Sequence, residues 1–207
     1  CADFAGDTDL RTPSALAAMT AFSVSLWAKG TGSGVIANVG TRTGSSAPGT
    51  YRLIVIGATP VFQLNDGTDN NISGTDQFVN DGDTWNHLVG TYDGADMRLY
   101  VNGQLQAESF VTQSPTLNSA PNGEFTVGNA YNVSANPFVG RISEVALYSG
   151  ALSASRIAAH YAAAGIVARG LTAPAVSNGA GGMTVSWVAP ADTGGLAITG
   201  YKIEYQT

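Results

Sequence analysis

Four short acidic clusters carry many of the carboxylates that chemistry would need. They lie at 7–9 (DTD), 66–69 (DGTD), 81–83 (DGD) and 93–96 (DGAD). Carboxylates grouped in this way can ligate calcium, and a pair placed on either side of a sugar can hydrolyse a glycosidic bond. Every cluster also contains glycine or threonine, a composition that is typical of turns. Each cluster therefore predicts a turn first and a site second.

The only two histidines, His87 and His160, are candidate proton-transfer groups. A general base needs a nucleophile and an orienting partner within hydrogen-bond reach, and the sequence around His87 offers neither. The two histidines do not have metal-ligand spacing. Cys1 is the only cysteine, so an intrachain disulfide and a cysteine-based zinc site are excluded. We predict no catalytic residue and do not expect an enzyme.

Sugar binding would need amides beside an aromatic ring, because a sugar presents an apolar face and a rim of hydroxyl groups. The segment 129–137 (NAYNVSANP) supplies Asn129, Tyr131 and Asn132. A second polar segment occupies 41–49 (TRTGSSAPG). Loops on a rigid scaffold often carry function, although they also vary freely when nothing selects them.

The acidic cluster at 66–69 extends into a larger set of oxygen-bearing side chains. The set comprises Asp66, Asp69, Asn70 and Asn71. It is a candidate for ligand binding or for calcium, whose ligands are carboxylate, amide and carbonyl oxygens. A row of solvated turn residues is the alternative interpretation.

The charge balance limits the partners of the chain. It has 15 acidic and 9 basic residues, for a net charge of −6. Nucleic acid and anionic membrane surfaces both require a basic face, so neither is an expected partner. No apolar run approaches the ~20 residues of a membrane span, and we expect no membrane insertion. Scarce lysine and abundant alanine, glycine and threonine suit a protein outside the cytoplasm.

Alternation of apolar and polar residues predicts β-strands along most of the chain. In FSVSLWAKG, one face carries Phe22, Val24 and Leu26, and the other carries Ser23, Ser25 and Trp27. The run 51–67 (YRLIVIGATPVFQLNDG) predicts two strands broken at Gly57 to Pro60. The runs FTVGNAY and FVGRISEVALYS predict two more.

The most informative run is 85–103 (WNHLVGTYDGADMRLYVNG). It predicts two strands joined by the loop DGAD and then a type I′ turn at Asn102–Gly103, where both residues need positive φ. One segment, ALSASRIAAHYAAAG, breaks the strand pattern. Ser153 as its N-cap and Gly165 at its end predict a helix of about three turns.

Strands at this spacing predict an all-β fold, an antiparallel jelly-roll β-sandwich with one short helix. From Leu171 onward the pattern changes to three further strands, which are too few to bury a core by themselves. The predicted organisation is a jelly-roll domain at 1–164, a linker at 165–172 and an incomplete second domain at 173–207.

Several motifs carry a family resemblance. WNHLVGTYDGADMRLYVNGQL resembles the W-x-H…Y-D-G…Y-V-N-G hairpin of the laminin-G-like, concanavalin A-like jelly-roll family. GRISEVALYSGALSASRI resembles that family's closing strand and helix, CADFAGDTDLR its opening and FSVSLWAK its next strand. The motifs follow the family order over 1–164. In that family more chain precedes the first strand, so Cys1 is not expected to be a lipidated terminus.

The tail resembles the first three strands of a fibronectin type III domain. The matching positions are Pro174, Val185, Trp187, Pro190, Gly194, Ile198, Gly200 and Tyr201. The remaining strands of such a domain have no counterpart before Thr207. The expected fold is therefore a jelly roll followed by a partial fibronectin type III sandwich, completed either by further chain or by another polypeptide.

The jelly-roll resemblance also bears on metal and catalysis. Some members bind structural calcium through acidic residues near the first and closing strands, which implies Asp7, Asp9 and Glu144 as metal ligands here. Solvated turns are the alternative interpretation. Ala5 and Ser143 stand where the family pattern has aspartate, which removes two acidic positions. Glucanases of similar fold place their carboxylates as E-x-D-x-x-E, a run that this sequence lacks.

The resemblance implies a non-catalytic recognition or adhesion module that is extracellular or on a cell or virion surface. The implied partner is carbohydrate or another cell-envelope glycan. Two alternatives stay open. One is a phage structural protein, a capsid decoration or minor tail or fibre protein, that contacts copies of itself or other virion proteins and binds no sugar. The other is an accessory domain of a secreted polysaccharide hydrolase.

Overall fold

The computed structural model describes residues 2–5, 10–12, 18–40, 50–65, 69–75, 78–111, 124–129, 137–164, 175–179 and 182–186. In chain order their strands are β1 (Ala2–Ala5), β2 (Leu10–Arg11), β3 (Phe22–Gly30), β4 (Gly34–Gly40), β5 (Tyr51–Ile56), β6 (Thr59–Asn65), β7 (Asp69–Ser73), β8 (Asn86–Tyr92), β9 (Asp96–Val101), β10 (Gln104–Phe110), β11 (Glu124–Val127), β12 (Val139–Tyr148), β13 (Ala175–Gly179) and β14 (Gly182–Ser186). The helix is α1 (Ala154–Ala163).

Twelve of these strands form two six-stranded sheets. Sheet A has the order β1-β12-β3-β8-β9-β10, and sheet B has the order β2-β11-β4-β5-β6-β7. Neighbouring strands within each sheet are antiparallel. The predicted antiparallel sandwich with one short helix is therefore confirmed. β13 and β14 pair with each other as a separate hairpin, and the fibronectin-type domain stays a prediction because most of 165–207 lies outside the described residues.

The core lies between the two sheets. Strand β3 buries Phe22, Val24 and Leu26 completely on the face that was predicted to point inward. These side chains belong to the same apolar cluster as Leu53 and Phe62 of sheet B. The alternation in the sequence places one apolar face of each sheet against the other, which fixes the register of the strands.

The two predicted turns at 93–96 and 102–103 are both present. Asn102 has φ 50° and Gly103 has φ 80°, as a type I′ turn requires. In the other turn Asp93 Oδ1 accepts hydrogen bonds from the backbone N–H groups of Ala95 (3.0 Å) and Asp96 (2.8 Å). Asp96 already belongs to β9, so the acidic cluster is a turn held by its own carboxylate.

The break between β5 and β6 is shorter than predicted. Only Gly57 and Ala58 separate the strands, while Pro60 lies inside β6 and pairs with Val55. The prediction of a break reaching Pro60 was wrong. The Pro60 carbonyl accepts a hydrogen bond from the Gly74 backbone N–H (2.8 Å), so the missing proline N–H falls at the end of the β6–β7 ladder, where it is tolerated.

The helix α1 begins as its sequence predicts. Ser153 Oγ accepts a hydrogen bond from the Arg156 backbone N–H at 3.3 Å, and Ile157 and Tyr161 are the buried residues of the helix. Gly165, its predicted end, lies outside the described residues. Among the helices that the structure describes, none has the length and apolarity of a membrane span.

Gly90 in β8 leaves room for an aromatic ring of the opposite sheet. A Cβ atom at this position would lie 2.6 to 2.9 Å from three ring atoms of Phe62. We expect Gly90→Ala to lower the free energy of unfolding by about 1–3 kcal/mol, since the core must shift to accept the methyl group. Urea denaturation measures the loss. Gly150→Ala is the control, because a Cβ atom added at Gly150 would meet no atom within 4 Å; equal stability of the two variants would contradict the packing argument.

Candidate functional site

The face of sheet A that points away from the core holds the polar side of β3. Ser23, Ser25, Trp27 and Lys29 alternate with the core residues along this strand. Helix α1 lies across part of this face, where Ile157 packs against Val89 of β8 and Tyr100 of β9. The helix covers β8 and β9 and leaves the part of the face along β3 and β12 largely open.

Three aromatic rings form a stack at the border between α1 and the open part of the face. The centroid of Trp27 lies 4.8 Å from that of His87 and 5.6 Å from that of Tyr161. His87 and Tyr161 are 6.1 Å apart, and all three interplanar angles are below 30°. Trp27 is 7% exposed and His87 1% exposed. The stack joins the helix to the sheet and forms a wall of the open region.

His87 is held in a neutral state by its surroundings. Its Nε2 lies 3.1 Å from Ser25 Oγ, while Nδ1 is buried and has no hydrogen-bond partner among the described residues. Burial, and secondarily the positive charge of His160, lower the pKa of His87 to about 4. A catalytic Ser-His pair needs a third group on the far ring nitrogen to orient the base, and the described residues place none there.

A β-bulge in β12 exposes Glu144 beside the aromatic stack. The register runs from Ser143 opposite Trp27 to Ala146 opposite Ser25, so Glu144 and Val145 both face the single residue between those two. Glu144 has φ 51°, a left-handed conformation that is rare for a residue with a side chain. Bulges redirect side chains at functional edges of sheets, and this one directs an exposed carboxylate beside Trp27.

Three adjoining cavities follow β3 and β12 along this face. The first, of about 490 Å³, is lined by Ser25, Trp27, His87, Glu144, Val145, Ala146, Tyr148, His160, Ala163 and Ala164. The second, of about 270 Å³, is lined by Trp27, Trp85, Ser143, Glu144 and Ala164. The third, of about 340 Å³, is lined by Asp3, Lys29, Gly30, Thr31, Gly82, Asp83, Val139, Gly140 and Arg141. The first two share Trp27, Glu144 and Ala164.

Lys29 and Trp85 connect the second cavity to the third. The ammonium nitrogen of Lys29 lies 5.5 Å from the centroid of the Trp85 ring, within the range of a cation–π contact. From Ser25 to Thr31 the three cavities extend about 20 Å, at about 3.3 Å per strand residue. We call this surface the β3–β12 groove and define it by the lining residues of the three cavities.

The predicted residues Asp69, Asn70 and Asn71 lie in β7 at an edge of sheet B. Asp69 Oδ1 accepts a hydrogen bond from Asn65 Nδ2 at 2.6 Å, and Asn70 Nδ2 donates to the Leu64 carbonyl at 3.4 Å. These two polar groups therefore take part in the β6–β7 hairpin itself. The side chain of Asn71 is exposed.

Asn129 follows β11 and is 8% exposed. Its backbone carbonyl accepts a hydrogen bond from Thr126 Oγ1 at 3.0 Å. β11 and β7 are separated by three strands in sheet B, and the register places Asn129 and Asp69 at opposite ends of it. The structure does not bring these two predicted residues into one site.

The other predicted residues divide between the groove and the undescribed segments. Glu144 lies in the groove, away from both Asp69 and Asn129. The predicted residues Asp7, Asp9, Asp66, Tyr131 and Asn132 lie outside the described residues, as does the segment 41–49. Among the residues that the structure describes, no group of three or more His, Cys, Asp or Glu side chains is arranged to hold a metal ion. A calcium site stays a prediction from the sequence.

The site search in the sequence missed Trp27 and Trp85 as groove residues. A signal for Trp27 was present, because a tryptophan shared the polar face of its strand with two serines. Trp85 lies immediately before β8, where the sequence pattern marks a strand start and gives no direction for the ring. The pairing of β3 with β12 was needed to place Glu144 beside both.

The fold defines a class of protein: two packed antiparallel six-stranded sheets with one helix on an outer face, the lectin-like jelly roll. The laminin-G family model described as the concanavalin A-like lectin/glucanases superfamily matches residues 4–158. The chain belongs to this superfamily, and the predicted family is confirmed. No curated protein sequence matches the chain.

Solved structures with a similar fold include three that are informative. A heptameric SAP-like pentraxin from Limulus polyphemus has a TM-score of 0.60 and 17% identity, with 75% of this chain and 78% of that chain covered. The CBM40 module of a Ruminococcus gnavus sialidase, bound to α2,3-sialyllactose, has a TM-score of 0.59 and 15% identity, with 73% of this chain and 97% of that chain covered. Domain 4 of a Geobacillus stearothermophilus extracellular arabinanase, in complex with arabinotriose, has a TM-score of 0.61 and 20% identity, with 76% of this chain and 74% of that chain covered.

Proposed function

We propose that the chain is a non-catalytic carbohydrate-binding module and that the β3–β12 groove holds the glycan. One observation carries the proposal: a single open groove combines a half-buried indole with carboxylate and hydroxyl groups. Trp85 lines the middle cavity beside Ser143 and Glu144. An aromatic ring packs against the apolar face of a sugar, and the polar groups next to it bind the hydroxyl groups at the rim.

The first cavity extends the same chemistry toward α1. Tyr148 is half-buried there, and its ring lies 6.1 Å from that of His160. The His87 ring and Ser25 close the floor. A groove of about 20 Å, with an aromatic or hydroxyl group in each of its first two cavities, suits a ligand of several linked sugars better than a single ring.

The structural neighbours support a glycan as the ligand class. Two of them are in complex with sugars, one with sialyllactose and one with arabinotriose, and a third is the binding domain of botulinum neurotoxin serotype G. Both sugar complexes are of parts of larger enzymes, which favours an accessory domain of a secreted hydrolase as the second candidate function. The arabinanase is extracellular, in line with our proposal that this chain acts outside the cell.

The composition of the groove favours binding over catalysis. Glycoside hydrolysis uses two carboxylates that flank the scissile bond. In the first two cavities Glu144 is the only carboxylate among the described lining residues, and the low pKa of His87 makes it a weak base. The bulge therefore presents one acceptor group to a sugar without a partner for acid–base chemistry.

A glycan array probed with the wild-type chain and with Trp85→Ala tests the proposal. We expect saturable binding that falls at least about tenfold in Trp85→Ala, since a lost ring contact of about 1.4 kcal/mol has that effect on Kd. Phe110→Ala is the matched control, because Phe110 is 64% exposed on β10, away from the groove. Tyr131→Ala tests the loop that the sequence favoured. Absence of any bound glycan, or undiminished binding by Trp85→Ala, would refute the proposal that the β3–β12 groove holds the glycan.

A further inference from the structure

Two cations lie side by side at the end of the β3–β12 groove. Lys29 of β3 and Arg141 of β12 are directly opposite in the antiparallel register, so their side chains leave the sheet on the same face. Like charges in such a pair repel each other and destabilise a sheet. Both residues line the third cavity together with two carboxylates, Asp3 and Asp83, so an anion that binds there must replace these carboxylates as the partner of the two cations.

A pair of glycines lies beside the two cations in the ladder. Gly30 and Gly140 are paired in the register, next to Lys29 and Arg141. A Cβ atom on Gly140 would lie 2.2 Å from the Lys29 carbonyl oxygen, and Gly140 has φ 153°. Gly82 also lines the cavity. Glycine is therefore required at Gly140 by the close approach of the strands.

Most donors of Arg141 are uncommitted, whereas Lys29 already contacts Asp83 and Trp85. Arg141 Nε pairs with Asp3 Oδ1 at 2.7 Å, and the other four N–H groups of this guanidinium have no partner among the described residues. Lys29 Nζ donates a hydrogen bond to the Asp83 backbone carbonyl at 3.4 Å and lies 3.9 Å from Asp83 Oδ1. The Asp83 and Asp3 carboxylates are 92% and 69% exposed. Pairs with such exposed carboxylates are weak, so an incoming anion competes with them.

We propose that this third cavity, the anion subsite, binds a carboxylate or sulfate group of an acidic sugar while the rest of the glycan occupies the cavities lined by Trp85 and Trp27. The proposal rests on the proposed function of the same groove. The free edge of the Arg141 guanidinium offers parallel N–H donors to an oxyanion, and Lys29 adds a point charge opposite.

The charge layout also limits the ligand to one acidic group in this position. Glu144 lines both of the other cavities, and its carboxylate repels a second anion there. A dense polyanion would also meet the net charge of −6. The fitting ligand is therefore a glycan with an acidic residue at one end and neutral sugars along the aromatic part of the groove.

The test is a glycan array on which each acidic glycan is printed beside its carboxyl-reduced form, and each sulfated glycan beside its unsulfated form. We expect the chain to bind the acidic member of a pair at least about tenfold more tightly, the effect of one charge-assisted hydrogen bond. Arg141→Gln and Lys29→Gln should each remove this preference, so that the acidic and neutral members of a pair bind equally. Arg156→Gln, an equal change of charge on the exposed side of α1, should have no effect.

Asp3→Asn supplies a test of opposite sign. Removing the carboxylate that competes for Arg141 Nε should strengthen binding of the acidic glycans about twofold or more, an effect that lost folding cannot imitate. Binding restricted to carboxylated glycans would support planar pairing by Arg141, and equal binding of sulfated glycans would support recognition by charge.

Different results would overturn the anion subsite and the carbohydrate-binding function. Equal binding of acidic and carboxyl-reduced forms, or an unchanged preference in both Arg141→Gln and Lys29→Gln, overturns the anion subsite and leaves the carbohydrate-binding function standing. Absence of binding to every printed glycan overturns both. Trp85→Ala should weaken acidic and neutral forms alike, which separates the loss of the groove from the loss of the subsite.

Discussion

Phe22→Ala is expected to lower the free energy of unfolding by about 3–5 kcal/mol, the largest single effect that we predict. The Phe22 ring is fully buried and stacks on Tyr51 with 4.6 Å between centroids. Phe62 and Tyr92 each lie 6.1 Å away. Truncation removes the ring from an aromatic cluster that spans both sheets, and the neighbouring rings cannot close the cavity without leaving their rotamers.

Urea denaturation monitored by intrinsic fluorescence gives the loss of stability. A typical domain has about 5–15 kcal/mol in total, so Phe22→Ala can prevent folding altogether. Phe22→Leu, which leaves a smaller void, should then fold with a loss of about 1–2 kcal/mol. Phe110→Ala, with its exposed ring, should remain within about 0.5 kcal/mol of the wild type. A Phe22→Ala variant as stable as this control would mean that the two sheets do not pack as described.

Acidification is expected to remove about 3 kcal/mol of stability through His87 alone. Burial, and then the charge of His160, lower the pKa of His87 in the folded state to about 4 from its ordinary value of 6.5. The unfolded chain therefore binds this proton more readily than the folded chain does. The contribution of His87 is complete above pH 6.5 and is lost as the pH falls from about 6.5 to about 4, at about 1.4 kcal/mol per pH unit.

Denaturation curves at pH 7, 5.5 and 4 measure this loss, and an NMR titration of the histidine ring locates the proton directly. The expected midpoint for His87 is near pH 4. His87→Gln should flatten the stability profile between pH 6.5 and 4, whereas His160→Gln should leave most of the slope. Hydrogen bonds from Thr84 lower the pKa of Asp81 to about 2, so protonation of Asp81 changes the stability only at a pH below this range. A midpoint of His87 near 6.5 would show that the ring is solvated.

Local sequence signals predicted the scaffold well. The alternation in β3, the Asn102–Gly103 turn and the Ser153 cap each depend on residues within a few positions of one another. They gave the fold class and, through the motif order, the family. The break at Pro60 was misplaced for a tertiary reason: the N–H that proline lacks falls where the ladder to β7 ends, which strand propensity does not show.

The sequence predicted the candidate site much less well, although it did single out one residue of the groove. Glu144 was proposed as a calcium ligand with Asp7 and Asp9, and the structure places it in an aromatic groove. Asp69 and Asn129 were proposed as ligand-binding residues, and they lie at opposite ends of sheet B. Turn composition marks oxygen-rich segments in the sequence but carries no information on which segments meet.

The groove results from pairings that join distant parts of the chain. β12 lies beside β3, which brings Arg141 opposite Lys29 and Ser143 opposite Trp27. A bulge of one residue in that ladder turns Glu144 outward. Alternation and turn chemistry are properties of neighbouring residues, so they can be read along the chain. Partner, register and bulge depend on the packing of a whole face against its neighbours, and that packing exists only when the two sheets have come together.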